Sequence, residues 1–108
     1  PTPIRPQLAA LFTAETRWQT PYAATQDDAV RCMRVGFGRA ANNVFVYLTQ
    51  DDTQLRKVWF TVDGRTTEDT YYPFEHTAPI DGERTEITVK ALTRQGRIIE
   101  WETLELKK

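Results

Sequence analysis

Few residues of this 108-residue chain have the chemistry of a catalytic or metal-binding site. Cys32 is the only cysteine, His76 is the only histidine, and the chain contains no serine. A serine–histidine pair is therefore excluded, and one cysteine with one distant histidine is too small a set for a zinc site. We expect Cys32 to be a buried or half-buried structural thiol and His76 to be an ordinary loop residue. The chain is therefore predicted not to be an enzyme and to hold no metal or cofactor.

Acidic residues occur as three doublets, which we place in loops. Paired carboxylates can bind calcium or act together as acid and base. None of the doublets has the spaced oxygen ligands of a calcium-binding loop, so we expect solvated turn residues. The doublets are Asp27-Asp28, Asp51-Asp52 and Glu68-Asp69.

The aromatic residues are the best candidates for a binding surface. Trp59 alternates out of phase with its apolar neighbours Val58 and Phe60, so its side chain should face away from theirs. An exposed tryptophan with a nearby tyrosine could stack on a sugar ring or contact a protein. The alternative is a second layer of core or a covered sheet edge. The candidate partner-binding residues are Trp59, Tyr71, Tyr72 and Phe74.

Runs of alternating apolar residues, separated by turn signals, predict the elements that would position these side chains. Residues 55–62 read as a strand, and Asp63-Gly64 after it is typical of a type I′ hairpin turn. Residues 44–50 are apolar on both faces, which favours a central, covered strand. Residues 29–39, 85–92 and 97–106 read as further strands, the last with a mixed phase that indicates a bulge or a half-exposed strand. Pro73 makes residues 71–74 an edge or a crossover.

Counting these runs predicts an all-β fold. About six to eight short strands at a spacing of roughly 8–12 residues favour an antiparallel β-sandwich of the immunoglobulin or transthyretin type. We assign residues 1–25 to an extended N-terminal segment, a tether with a short helix or strand, and residues 26–108 to the sandwich domain. The opening residues 1–6 contain three prolines. They suggest a processed or excised chain, from which a signal peptide or lipid-anchored tether has been removed, or an expression boundary.

Composition excludes several classes of partner. Hydrophobic residues make up 40% and charged residues 27%, which is ordinary for one soluble globular domain. The net charge of −1 and pI near 5.8 indicate neither a nucleic-acid-binding protein nor one that adheres to anionic membranes. No apolar run approaches the roughly 18 residues of a membrane helix. We therefore expect neither nucleic acid nor an anionic membrane surface as a direct partner of this chain.

The chain resembles two families. Its Asp-Gly turns, Pro-aromatic pair and late strand are similar to those of bacterial immunoglobulin-like domains. That resemblance implies an accessory spacer, or a carbohydrate-binding module of a larger secreted protein. The residues that carry it are Asp51, 57–64, Pro73-Phe74, Asp81-Gly82 and 87–91.

The chain also resembles the type III secretion lipoprotein family, which includes pilotins for outer-membrane secretins. The resemblance covers about half of the chain and accounts for the stand-alone size and the missing active site. It implies a lipid-anchored protein on the periplasmic face of the outer membrane, which acts as a pilot or chaperone for a secretin subunit. The mechanism would be recognition of a strand or peptide at a sheet edge or apolar groove. Its residues are 44–48, Asp51, 73–75, Ile80-Asp81, 87–91 and 96–99.

The chain departs from that family in three ways. Residues 52–72 form a shorter segment than the family pattern, Glu86 stands where an aromatic residue is usual, and the N-terminal lipidated cysteine is absent. A processed chain would lack that cysteine.

Overall fold

A computed structural model describes residues 22–35, 43–49, 54–80 and 82–107 of the chain. These residues contain nine β-strands and no helix. In chain order the strands are β1 Tyr22–Ala24, β2 Val30–Val35, β3 Asn43–Leu48, β4 Leu55–Val62, β5 Arg65–Asp69, β6 Glu75–Pro79, β7 Arg84–Thr93, β8 Ile98–Glu100 and β9 Leu104–Lys107.

The strands form two antiparallel sheets that pack face to face. Sheet A has the order β1-β2-β3-β6, and sheet B has the order β5-β4-β7-β8, with β9 also paired to β7. The predicted all-β sandwich is therefore confirmed, with nine strands in the described residues rather than six to eight. Its likeness to immunoglobulin or transthyretin topology stays a prediction.

Alternation along the strands builds the core, because successive strand residues point to opposite faces of a sheet. In β4, Val58, Phe60 and Val62 are buried while Trp59 between them is only half-buried. In β3, which lies between β2 and β6, Val44 and Val46 face the core. Phe45 on the opposite face of β3 is also buried, so the predicted central, covered strand is confirmed.

The β4–β5 hairpin turns at Asp63-Gly64. Both residues have positive φ angles, 48° at Asp63 and 85° at Gly64, as a type I′ turn requires. The turn brings Val62 opposite Arg65 and Phe60 opposite Thr67. The predicted hairpin turn is confirmed.

The two sides of the sandwich differ. On one side β9 contacts β1, and Leu104 and Leu106 of β9 are buried. On the other side β5 lies beside β6, but β5 contains only polar residues and four of its five side chains are exposed. The sandwich is thus closed at β1 and β9 and open at β5 and β6.

Three predicted segments differ in detail. The last predicted strand is interrupted, because residues 101–103 separate β8 from β9, as its mixed phase indicated. Residues 71–74 are a crossover, which carries the chain from sheet B to sheet A. Tyr22–Ala24, placed by prediction in the N-terminal segment, pairs with β2. The predictions for residues 1–21, 36–39 and the doublet Asp51-Asp52 lie outside the described residues.

Candidate functional site

Cys32 is fully buried in β2 on the core face of sheet A. Burial raises the pKa of its thiol to about 12, so the reactive thiolate is not formed near neutral pH. The prediction of a buried structural thiol is confirmed.

His76 lies in β6, and its prediction as a loop residue is wrong. Its ring stacks on Phe60 of sheet B, with ring centroids 5.9 Å apart and an interplanar angle of 16°. Burial lowers the pKa of His76, and the nearby Asp69 carboxylate opposes that shift. The imidazole is therefore neutral at physiological pH. The strand escaped prediction because residues 75–79 contain no large apolar residue whose alternation would mark it.

Trp59 lies on the outer face of sheet B, as its phase predicted. Its indole Nε1 donates a hydrogen bond of 3.1 Å to Glu68 Oε1, and Lys57 Nζ lies 5.7 Å from the ring centroid. The ring is thereby fixed beside a shallow depression of about 330 Å³. The depression is lined by Trp59, Thr61, Thr66, Thr88, Lys90 and Ile98.

The other three aromatic candidates belong to the crossover between β5 and β6. Tyr71 and Tyr72 are 60% and 59% exposed. Phe74 is only 3% exposed and belongs to the core cluster, so it cannot present its ring to a partner while the core is intact. The four candidates are thus not one surface: Trp59 is on a sheet face, the tyrosines are on a crossover and Phe74 is inside.

The acidic doublets are structural where the structure describes them. Asp27 accepts hydrogen bonds from Thr25 Oγ1 (2.6 Å), Ala29 N (3.1 Å) and Trp101 Nε1 (3.1 Å). Glu68-Asp69 lies in β5 and not in a loop, because the hairpin turn extends pairing with β4 over polar residues. Among the described residues, no group of three or more histidine, cysteine, aspartate or glutamate side chains could hold a metal ion.

A second site is a groove on the open side of the sandwich, which we name the β5–β6 groove. It has a volume of about 550 Å³ and was not predicted, because its two walls are strands that carry no apolar alternation. Apolar side chains of Val62, Ala78 and Ile80 alternate there with polar groups, so the groove suits a mixed polar and apolar segment. Its lining residues are Val62, Asp63, Arg65, Thr67, His76, Thr77, Ala78, Pro79 and Ile80.

Two charged residues line the groove, and they differ in their partners. The Asp63 carboxylate accepts a 2.9 Å hydrogen bond from Glu86 N, and Asp63 N donates to Glu86 O at 3.0 Å. Arg65 is exposed, and its side chain forms no hydrogen bond or ion pair with any described residue. Of the two charged residues, Arg65 is therefore the one whose side chain can form an ion pair with an acidic group of a bound partner.

The backbone of β5 presents a hydrogen-bonding edge beside the groove. In a type I′ turn the residues on either side of the turn form a hydrogen-bonded pair, here Val62 and Arg65. Because such pairs alternate along an antiparallel ladder, Arg65, Thr67 and Asp69 direct their backbone groups toward β4. Thr66 and Glu68 direct theirs away from it, where no described strand pairs with β5. We name these outward groups the β5 edge.

Comparison with protein-family models, with curated proteins and with solved structures found no match to this chain. The described part of the chain contains no helix long and apolar enough to cross a membrane.

Proposed function

We propose that this chain is a non-catalytic protein-binding module that takes an extended segment of a partner protein at the β5 edge. The observation that carries the proposal is the position of the β5 edge, with which no described strand pairs, beside a groove of about 550 Å³. Strand addition supplies affinity through main-chain hydrogen bonds, and alternate side chains of the added segment enter pockets that supply specificity. Here the β5 edge supplies the main-chain hydrogen-bonding groups, and the β5–β6 groove supplies the pockets for side chains.

The sequence resemblance to type III secretion lipoproteins supports a particular partner. In that role the chain is a pilot or chaperone for a secretin subunit, at the periplasmic face of the outer membrane and attached through a lipid anchor. An exposed segment of the unassembled secretin subunit would occupy the β5 edge until assembly.

The test is the binding of fluorescent peptides that tile the secretin subunit of the source organism, measured by fluorescence anisotropy. Ala78→Phe fills the groove from the side of β6, and we expect it to weaken binding of the best peptide at least roughly tenfold by steric exclusion. Thr88→Phe, on the outer face of sheet B, is the matched control and should leave affinity unchanged. If no peptide binds, or if both variants bind equally well, the proposal is wrong.

A second candidate is the sugar-binding role implied by the immunoglobulin-like resemblance. It is favoured by Trp59, whose ring borders a depression lined with the hydroxyls of Thr61, Thr66 and Thr88. Such a surface combines an aromatic platform with hydrogen-bonding groups. Oligosaccharide affinity that is lost on Trp59→Ala and kept on Tyr72→Ala would support this candidate, and failure of a broad glycan panel to bind would exclude it.

A further inference from the structure

The sequence of β5 is complementary to itself when it is read in the opposite direction. It runs Arg65-Thr66-Thr67-Glu68-Asp69. If two copies are aligned antiparallel about Thr67, Arg65 of each copy faces Asp69 of the other. Opposite charges directly across an antiparallel pair stabilise it, whereas like charges destabilise it.

The backbone favours the same alignment independently of charge. The outward-directed groups are those of Thr66 and Glu68, and this alignment places Thr66 of one copy opposite Glu68 of the other. Both copies then exchange N–H···O bonds at two hydrogen-bonded pairs, so all four outward donors and acceptors on each edge are used. An alignment about Thr66 would instead place Asp69 opposite Asp63, where two carboxylates repel each other.

The side chains that would meet are accessible and lie on one face. Arg65, Thr67 and Asp69 share the inward phase of sheet B, because they pair with Val62, Phe60 and Val58. Arg65 and Thr67 are exposed, and Asp69 is half-buried. The Asp69 carboxylate already accepts hydrogen bonds from Tyr71 N and Glu75 N, both at 3.0 Å. A carboxylate has about four lone-pair sites, so it can also accept from an arginine.

We propose that the β5 edge pairs with the β5 edge of a second copy of this chain, which forms a two-fold symmetric dimer centred on Thr67. Sheet B then runs continuously across the two copies, and Arg65, Thr67 and Asp69 of each copy cover the β5–β6 groove of the other. A second copy therefore competes with any extended peptide for the edge. That competition rests on the function proposed above, whereas the dimer does not.

Cysteine cross-linking tests the register. Residues directly opposite in a non-hydrogen-bonded antiparallel pair have Cα atoms about 4.5 Å apart, within the range that a disulfide spans. Thr67→Cys should link to itself under mild oxidation and give a species of twice the 12.5 kDa monomer mass on non-reducing gels. Thr66→Cys should not link to itself but should link to Glu68→Cys when the two variants are mixed. Cys32 does not interfere, because it is fully buried.

Charge reversal tests the ion pairs without cross-linking. Analytical ultracentrifugation of the unmodified chain should show a monomer–dimer equilibrium that weakens as salt is raised. Arg65→Glu places acidic groups opposite Asp69 in both copies and should raise the dimer dissociation constant roughly tenfold or more, while Arg65→Lys should raise it much less. Circular dichroism checks that each variant is folded.

Either of two results overturns the inference. One is a monomer at all accessible concentrations together with no Thr67→Cys cross-link. The other is self-linking of Thr66→Cys as readily as Thr67→Cys, which would mean random collision or another register. Neither result bears on whether a peptide binds the groove, so failure of the dimer and failure of the proposed function remain distinguishable.

Discussion

Asp27 joins the turn between β1 and β2 to the far end of the chain. Its carboxylate accepts hydrogen bonds from the Thr25 hydroxyl, from Ala29 N and from the Trp101 indole. A second bond from Gln26 N to Glu102 Oε1, 2.6 Å long, lies beside it. These contacts hold the closed side of the sandwich together where neither sheet supplies a ladder hydrogen bond.

We expect Asp27→Ala to lower the free energy of unfolding by about 1 kcal/mol, the typical net value of one hydrogen bond. The value is no larger because Asp27 is exposed, so water replaces part of the lost hydrogen bonding. Asp28→Asn is the control, since Asp28 forms an ion pair with the partly exposed Arg31, and asparagine removes that charge but tolerates the positive φ of 59° at this position. This loss should be smaller. Hydrogen bonding, chiefly from Thr25, lowers the pKa of Asp27 below 3.8. Its contribution is therefore present above pH 3.8 and is lost as pH falls through the folded-state pKa. Urea unfolding at several pH values measures this loss. As pH falls through the folded-state pKa, the free energy of unfolding should decrease less in Asp27→Ala than in the unmodified chain, and an equal decrease in both would contradict this role.

We expect His76 to make a separate contribution to the pH dependence of the free energy of unfolding. Because burial lowers its pKa below 6.5, the unfolded chain binds a proton that the folded chain does not. Stability from this residue is therefore complete above pH 6.5 and falls as pH drops from 6.5 through the folded-state pKa. His76→Phe keeps a ring against Phe60 but cannot be protonated, so its unfolding free energy should be flat over that window. A wild-type slope that survives in His76→Phe would show that another group titrates.

Side-chain environments could be predicted from the sequence only where a local pattern determines them. Trp59 was placed correctly because β4 alternates strongly between buried and partly exposed residues. Cys32 was placed correctly because the chain offers no second cysteine to pair with it, and not from alternation, since both faces of β2 are buried. His76 and Phe74 were not placed correctly, because their environments are created by contact between sheets. Phe60 meets His76 only after β4 and β6 enter opposite sheets, and no local pattern reports that.

At the scale of elements, β5 is held by one neighbour and by its turn. It pairs with β4 through five residue pairs and has no other strand partner in the described residues. Its sequence carries no apolar residue, and four of its five side chains are exposed. A polar edge strand of this kind cannot be predicted from periodicity, which is why the sequence pattern places its Glu68-Asp69 doublet in a loop. The strand is visible only through the Asp63-Gly64 turn, which directs the chain back along β4.

Proline substitution tests the direction of the β5 backbone groups. Thr66→Pro removes an N–H that points away from β4, whereas Thr67→Pro removes one that bonds to β4. We expect Thr67→Pro to lower the free energy of unfolding by at least about 1 kcal/mol more than Thr66→Pro. Thermal and urea unfolding of the two variants measure the difference. Equal losses, or a larger loss in Thr66→Pro, would mean that the Thr66 N–H does not point away from β4. The β5 edge would then lack the outward backbone groups that the proposal requires.

In the molecule as a whole, the two sides of the sandwich differ in how many apolar residues they bury. The closed side buries Leu104 and Leu106, while the open side ends in the polar strand β5 and leaves the groove beside β6. An unpaired edge is a template for pairing with another chain, and proteins usually protect such edges with charge, proline or short length. β5 is short and charged, yet its charges are arranged to attract a complementary strand. Composition argued against nucleic acid and anionic membranes as partners but contained no information about this side.

Hydrogen exchange of the β5 amides is the most direct test of the claim that this edge binds another strand. We would follow individual amides by NMR in dilute protein, with and without the tightest-binding secretin peptide. The amides of Thr66 and Glu68 should exchange fast in the free protein and become protected on binding. Those of Arg65, Thr67 and Asp69 should be protected in both states through β4. Protection that appears only around Trp59, or binding that leaves the Thr66 and Glu68 amides unprotected, would contradict strand addition at β5.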